Sequence, residues 1–74
     1  MFRVGKKDCI KAFAISGTTG KILSSVYDSG FTKVSEIQSE LLRKIPYFGG
    51  KKINIQITNI DKEKHKSFDI SVNF

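Results

Sequence analysis

Residues 53–74, INIQITNIDKEKHKSFDISVNF, alternate apolar and polar side chains on both sides of one charged turn. Before the turn, isoleucines at positions 53, 55 and 57 alternate with polar residues. After it, the apolar residues are Phe68, Ile70, Val72 and Phe74. Successive side chains of a strand point to opposite faces, so this period of two predicts two strands that each bury one face. The segment therefore predicts a β-hairpin with one apolar and one polar face.

The turn of this hairpin must have an even number of residues, because the apolar residues of both strands have to share a face. Paired residue numbers then sum to an odd value. A loop at Glu63 and Lys64, or a longer turn over 61–66, meets this condition. Ile60 has the wrong parity for the buried face, and we expect a bulge or the end of pairing there.

Residues 9–16 and 22–28 predict another pair of strands, joined by a turn that contains glycine. Gly20 suits the left-handed position at the end of a three-residue loop over 18–20, where a Cβ would be strained. The register that follows pairs Ala14 with Ser24, Phe13 with Ser25, Ala12 with Val26 and Ile15 with Leu23.

A helix is predicted over roughly 33–45, because apolar residues recur at positions 34, 37, 41 and 45. Thr32 or Ser35 could cap its first turn. Acidic residues near its start and basic residues near its end suit the helix dipole. Pro46 disfavours helical geometry at Ile45 and should end the element.

The chain order is therefore β-β-α-β-β over a single domain, residues 1–74. This order predicts an α+β two-layer fold: a four-stranded, largely antiparallel sheet with one helix packed on one face. Residues 1–8 are expected to form a short edge strand through Phe2 and Val4, or to be flexible.

Composition limits the kinds of site that the chain can build. A domain of 74 residues lies near the lower size limit for a core without cross-links. Cys9 is the single cysteine, so no internal disulfide can form, and His65 is far from it in sequence. No apolar run has the length of a signal or of a bilayer span. We expect a cytoplasmic protein without a metal site or a membrane partner.

The sequence predicts neither an enzyme nor a cofactor. Its carboxylates are scattered, and it has neither a P-loop nor a dinucleotide fingerprint. The glycine-containing loop over 17–21 lacks the phosphate-loop spacing and is followed by a strand pattern. A domain this small also has little room for a substrate pocket, so we expect no small-molecule substrate.

The first hairpin is apolar on both faces, although one helix can cover only one of them. The face with small residues, which lets a helix approach, holds Ile10, Ala12, Ala14, Ile22 and Val26. The opposite face holds Lys11, Phe13, Ile15, Leu23 and Tyr27.

An exposed apolar patch usually marks a contact site. Our first hypothesis is thus a small accessory or regulatory module that binds a partner protein through Lys11, Phe13, Ile15, Leu23 and Tyr27. Two alternatives stay open. The N-terminal segment, or Tyr47 and Phe48, could cover these side chains as a second small core, or the chain could be a structural homodimer that associates through them.

The net charge of +6 favours anionic partners, although a charge of this size also serves solubility. Arg43, Lys44, Lys51 and Lys52 join the end of the helix to the start of the third strand and could hold phosphates. Complementation of the helix dipole and protection of a sheet edge explain the same residues. Nucleic-acid binding through these four cations is the alternative function.

Overall fold

The computed structural model of the chain describes residues 2–45 and 52–71. Its elements are β1 (Ile10–Ser16), β2 (Ile22–Asp28), α1 (Val34–Lys44), β3 (Lys52–Asn59) and β4 (Lys64–Ser71). The predicted β-β-α-β-β order and the α+β class are confirmed. Pro46, Tyr47, Phe48, Lys51 and the end of the last predicted strand at 72–74 lie outside the described residues.

The four strands form one antiparallel sheet in the order β2-β1-β3-β4. β1 and β3 occupy the centre, and β2 and β4 are the edges. The two hairpins therefore join through the β1–β3 pair, and each supplies one edge of the sheet.

The β3–β4 hairpin has the predicted parity. Ile55 pairs with Phe68, so paired residue numbers sum to an odd value and the apolar residues share one face. The two loops suggested by the sequence are wrong in position, because Lys64 already belongs to β4 and pairs with Asn59. The ladder ends there, before Ile60, as expected.

The β1–β2 hairpin follows the predicted register only as far as Ala14. Ala14 pairs with Ser24, as predicted, but Ile15 pairs with Ile22 and not with Leu23. Leu23 is thus the extra residue of a β-bulge. As a result Ile22 and Leu23 exchange the faces that strict alternation would give them.

The turn of this hairpin explains the bulge. The Ser16 amide donates to the Lys21 carbonyl at 2.8 Å, so the loop spans 17–20 and the predicted loop over 18–20 is wrong. Gly20 does adopt the predicted left-handed conformation, with φ +73°. The bulge absorbs the one-residue difference between the two loops and restores the predicted pairing beyond it.

A single core lies between the sheet and α1, which packs on β2 and β1. Its buried apolar residues are Ile10, Ala12, Ala14, Val26, Ile37, Leu41, Ile53, Ile55 and Ile57. Phe2 and Val4 pack against this core, and residues 2–9 form no strand, so the predicted edge strand is wrong. The N-terminal segment instead supplies apolar side chains to the helix side of the sheet.

The helix begins after Lys33, so the predicted caps Thr32 and Ser35 are wrong. The Glu36 carboxylate accepts hydrogen bonds from the amides of Thr32 (2.9 Å) and Lys33 (3.1 Å). The Thr32 side chain also donates to it and, with these amides, lowers the pKa of Glu36. A first-turn glutamate thus satisfies donors that the helix itself leaves free.

The other end of the helix is tied to the edge strand β2. Ile45, the residue before the proline, has extended geometry with ψ 124°, as expected. The Ser24 hydroxyl donates to the Leu41 carbonyl at 2.9 Å, which satisfies one acceptor of the last turn. This contact places the middle of β2 beside the second half of α1.

Asn59 forms a buried polar centre that joins the N-terminal segment to the β3–β4 loop. Its amide donates to the Arg3 carbonyl (3.0 Å) and to Asp8 Oδ2 (2.9 Å), and its oxygen accepts from the Lys62 amide (3.1 Å). Asp8 also accepts from Gly5 and forms an ion pair with Lys62. These contacts, led by the hydrogen bond from Asn59, lower the pKa of Asp8 to about 2.

Candidate functional site

The open face is the side of the sheet that α1 does not cover. The register arranges its side chains in rows across all four strands, since opposed residues share a face. The rows are Tyr27, Lys11, Thr58 and His65; then Ser25, Phe13, Gln56 and Ser67; then Ile22, Ile15, Asn54 and Asp69. Each row has at least one apolar or aromatic side chain on β1 or β2 and only polar side chains on β3 and β4.

The open-face patch consists of Phe13, Ile15, Ile22 and Tyr27, all on the first hairpin. Tyr27 is 70% exposed and Ile22 is 61% exposed, while Phe13 and Ile15 are half-buried. None of the four belongs to the buried core or packs against it. The ammonium of Lys11 lies 5.5 Å from the centre of the Phe13 ring, within cation–π range.

The structure places four of the five predicted patch residues on the open face and moves the fifth. Leu23 packs against the core, because the bulge turns it toward α1, and the assignment of Leu23 to the open face is wrong. Ile22 takes its place. Two adjacent apolar residues carry no parity signal, so only knowledge of the loop length could have separated them.

Tyr27 lies near Cys9 at one corner of the open face. Hydrogen bonding and charge at Cys9, together with charge at Asp61, raise the pKa of the Tyr27 phenol. The Cys9 amide donates to the Asp61 carboxylate, which fixes the start of β1 against the β3–β4 loop. Tyr27 therefore presents a neutral phenol at the surface.

The polar half of the open face, formed by β3 and β4, has side chains that hydrogen-bond to one another. Asn54 donates to Asp69 at 2.9 Å and accepts from Gln56 at 3.0 Å. Thr58 hydrogen-bonds to His65 at 3.0 Å. Because these groups already have partners, a ligand that bound here would have to replace existing hydrogen bonds. The polar half thus has the properties of a solvated surface.

Two segments were proposed to cover the open-face patch, and the N-terminal one lies on the helix side of the sheet instead. Phe2 and Val4, the apolar residues of the N-terminal segment, pack against the core. Tyr47 and Phe48, the other proposed cover, lie outside the described residues.

The nucleic-acid alternative rests on four basic residues, which do not share one environment: Arg43, Lys44, Lys51 and Lys52. Arg43 forms an ion pair with Glu40 on the same helix. Arg43 and Lys44 line an open groove of about 570 Å³ between α1 and β2, which also includes the carboxylates of Asp28, Glu36 and Glu40. Lys52 is exposed at the start of β3, and Lys51 lies outside the described residues. The described part of this site is therefore mixed in charge.

Residues 2–45 and 52–71 contain no cluster of three or more His, Cys, Asp or Glu side chains placed to hold a metal ion. Over the same residues, no helix combines the length and the apolar character needed to cross a bilayer. Comparison of the chain with protein-family models, with curated proteins and with solved structures gives no match. A function for the candidate site is therefore inferred from its geometry alone.

Proposed function

We propose that this chain is a small, non-enzymatic accessory or regulatory module that binds a partner protein through the open-face patch. The observation that supports this most is the exposure of Tyr27 and Ile22 beside Phe13 and Ile15, on a sheet face that the helix leaves uncovered. Contiguous exposed apolar groups of this kind favour a protein contact.

The chemistry of the patch indicates what the partner offers. Its aromatic and aliphatic side chains call for an apolar surface, since burial of such groups drives association. The Lys11 ammonium lies over the Phe13 ring and adds one positive charge. The expected partner therefore presents apolar side chains with a carboxylate beside them. The hydrogen-bonded polar half would form the rim of the interface.

The test compares three baits in a nuclease-treated lysate of the organism that encodes the chain: the unchanged protein, Phe13→Ser and Gln56→Ser. Gln56 faces Phe13 in the same row and serves as the matched control. A protein captured by the unchanged bait and by Gln56→Ser, but lost with Phe13→Ser, supports the proposal. Circular dichroism of Phe13→Ser must first establish that this variant is folded.

The captured protein is then purified and added to isotope-labelled chain, and amide shifts are followed by NMR. The proposal expects the largest shifts at the open-face patch. Shifts confined to α1 or to the β3–β4 loop would contradict it, as would capture that does not depend on Phe13.

Nucleic-acid binding through Arg43, Lys44, Lys51 and Lys52 is the alternative proposal, and the net charge of +6 favours it. The carboxylates beside Arg43 and Lys44 count against it. Titration of duplex and single strands at low salt separates the two functions. Binding that is lost on charge reversal at Lys52 and weakened by salt would favour the alternative. A partner held by the open-face patch would respond little to either change.

A further inference from the structure

We infer that the chain pairs with a second copy of itself along the edge strand β2, so that two sheets join into one and the two α1 helices lie side by side. This inference concerns an edge of the sheet and a helix flank, and it is independent of a partner on the open face. It also differs from a dimer built through Phe13 and its neighbours.

The two edges of the sheet are protected unequally. Sheet edges carry unpaired amides and carbonyls, and charged side chains, lysine above all, normally discourage other strands from joining them. β4 begins Lys64-His65-Lys66 and also carries Asp69. β2 has no charged residue from Ile22 to Tyr27 and only Asp28 at its end. Within residues 2–45 and 52–71, β2 is therefore the edge better suited to a further strand.

The space beside β2 continues up to the helix. The groove of about 570 Å³ is bounded below by Val26, Tyr27 and Asp28 of β2. Above, it is bounded by one flank of α1, at positions 35, 36, 39, 40, 43 and 44. Two of these positions are serines, whose short side chains would let a neighbouring chain approach the helix closely. A neighbour that only added a strand would leave this flank without a partner, whereas a second copy brings both a strand and a helix.

The charge on this flank complements itself under a twofold axis. Such an axis, perpendicular to the sheet, makes the two β2 strands antiparallel and keeps both open faces on one side. It also makes the two helices antiparallel. The flank is acidic at Glu36 near its start and basic at Lys44 at its end. Glu36 of each copy therefore lies toward Lys44 of the other.

With the axis at Ser25, the middle residue of β2, the contact between Ser24 and Leu41 determines which part of α1 lies near the axis. It aligns the middle of β2 with the second half of α1, so an axis near Ser25 passes close to Glu40 and Arg43. These two side chains already form an ion pair within each copy. At the axis the two pairs form an alternating group of four charges, which avoids unpaired like charges between the copies.

The mass in solution tests this inference, by sedimentation equilibrium or light scattering over increasing protein concentration. The expected species is a dimer, with twice the chain mass of 8.3 kDa. Ser25→Lys places two like charges opposite each other at the axis and should weaken dimerisation by about tenfold or more. Ser67→Lys is the matched control, because Ser67 lies in the same row on the other edge, and it should leave the dimer intact.

Three further variants make the result specific. Lys44→Glu should weaken the dimer and Lys66→Glu, on the β4 edge, should not. Phe13→Ser should leave the dimer intact, since Phe13 lies on the central strand β1 and not on the β2 edge. A chain that stays monomeric at about 1 mM would overturn the inference. So would a dimer unaffected by Ser25→Lys, or one that Ser67→Lys or Phe13→Ser dissociates while the chain stays folded.

Discussion

The two hairpins contribute to the same core but differ everywhere else. On the open face the first hairpin presents Phe13, Ile15, Ile22 and Tyr27, whereas the second presents amides and hydroxyls that bond to one another. At the sheet edges, β2 is almost uncharged and β4 is rich in lysine. One half of the sheet is thus suited to association on its face and on its edge, and the other half is suited to water.

A large effect should come from comparing an aromatic residue in each hairpin. Phe68, like Phe13, is half-buried, but it packs against the core, so Phe68→Ala should lower the free energy of unfolding by about 2 kcal/mol or more. Phe13 is half-buried on the open face, so Phe13→Ala should lower it by less than about 1 kcal/mol. Urea unfolding of both variants measures the difference. Equal losses would mean that the open face is covered in solution.

Two asparagines of β3 extend the comparison to the two faces of one strand. Asn59 is fully buried, and Asn59→Ala removes its hydrogen bonds to Arg3, Asp8 and Lys62, which should cost about 2–3 kcal/mol. Asn54 lies on the open face, where water can replace its contacts, so Asn54→Ala should cost less than about 1 kcal/mol. Thermal unfolding checks both values. A larger loss at Asn54 would mean that the polar half is structural.

The sequence predicted the second hairpin better than the first for a physical reason. In β3 and β4 one face is apolar and the other polar, so a shift of one residue would bury polar groups, and the parity is determined. In β1 and β2 both faces are apolar, so hydrophobicity does not set the register. Ile22 and Leu23 could therefore exchange faces once the turn lengthened by one residue.

The candidate site was predictable only in part. The number of helices indicated an uncovered face, and Phe13, Ile15 and Tyr27 were identified on it. The Asn59 centre was missed, although the sequence held a signal, since Asn59 continues the odd-numbered series of buried isoleucines in β3. Its partners Arg3 and Asp8 are more than 50 residues away, and only the folded chain brings them together.

The Asp8 contacts should appear in the dependence of stability on pH. The pKa of Asp8 falls from 3.8 to about 2 on folding, so folding favours its charged form. The resulting stabilisation is complete above about pH 4 and is lost as the pH falls through the folded pKa near 2. Asp8→Asn should flatten the fall in unfolding free energy between pH 4 and 2, measured by denaturant titration at each pH. If the fall in unfolding free energy is as steep in Asp8→Asn as in the unchanged chain, other carboxylates cause the loss of stability at low pH.

The smallest expected effects lie in the two hairpin turns and have opposite signs. Gly20 in the first turn and Glu63 in the second both have positive φ, of 73° and 53°. Only glycine adopts this region without strain, so Gly20→Ala should destabilise the chain by about 1 kcal/mol, although its Cβ would meet no atom within 4 Å. Glu63→Gly should stabilise it by about 0.5 kcal/mol, since relief of strain exceeds the added chain entropy of glycine. Chemical denaturation of both variants gives the two signs, and a change in the same direction would mean that one turn differs in solution.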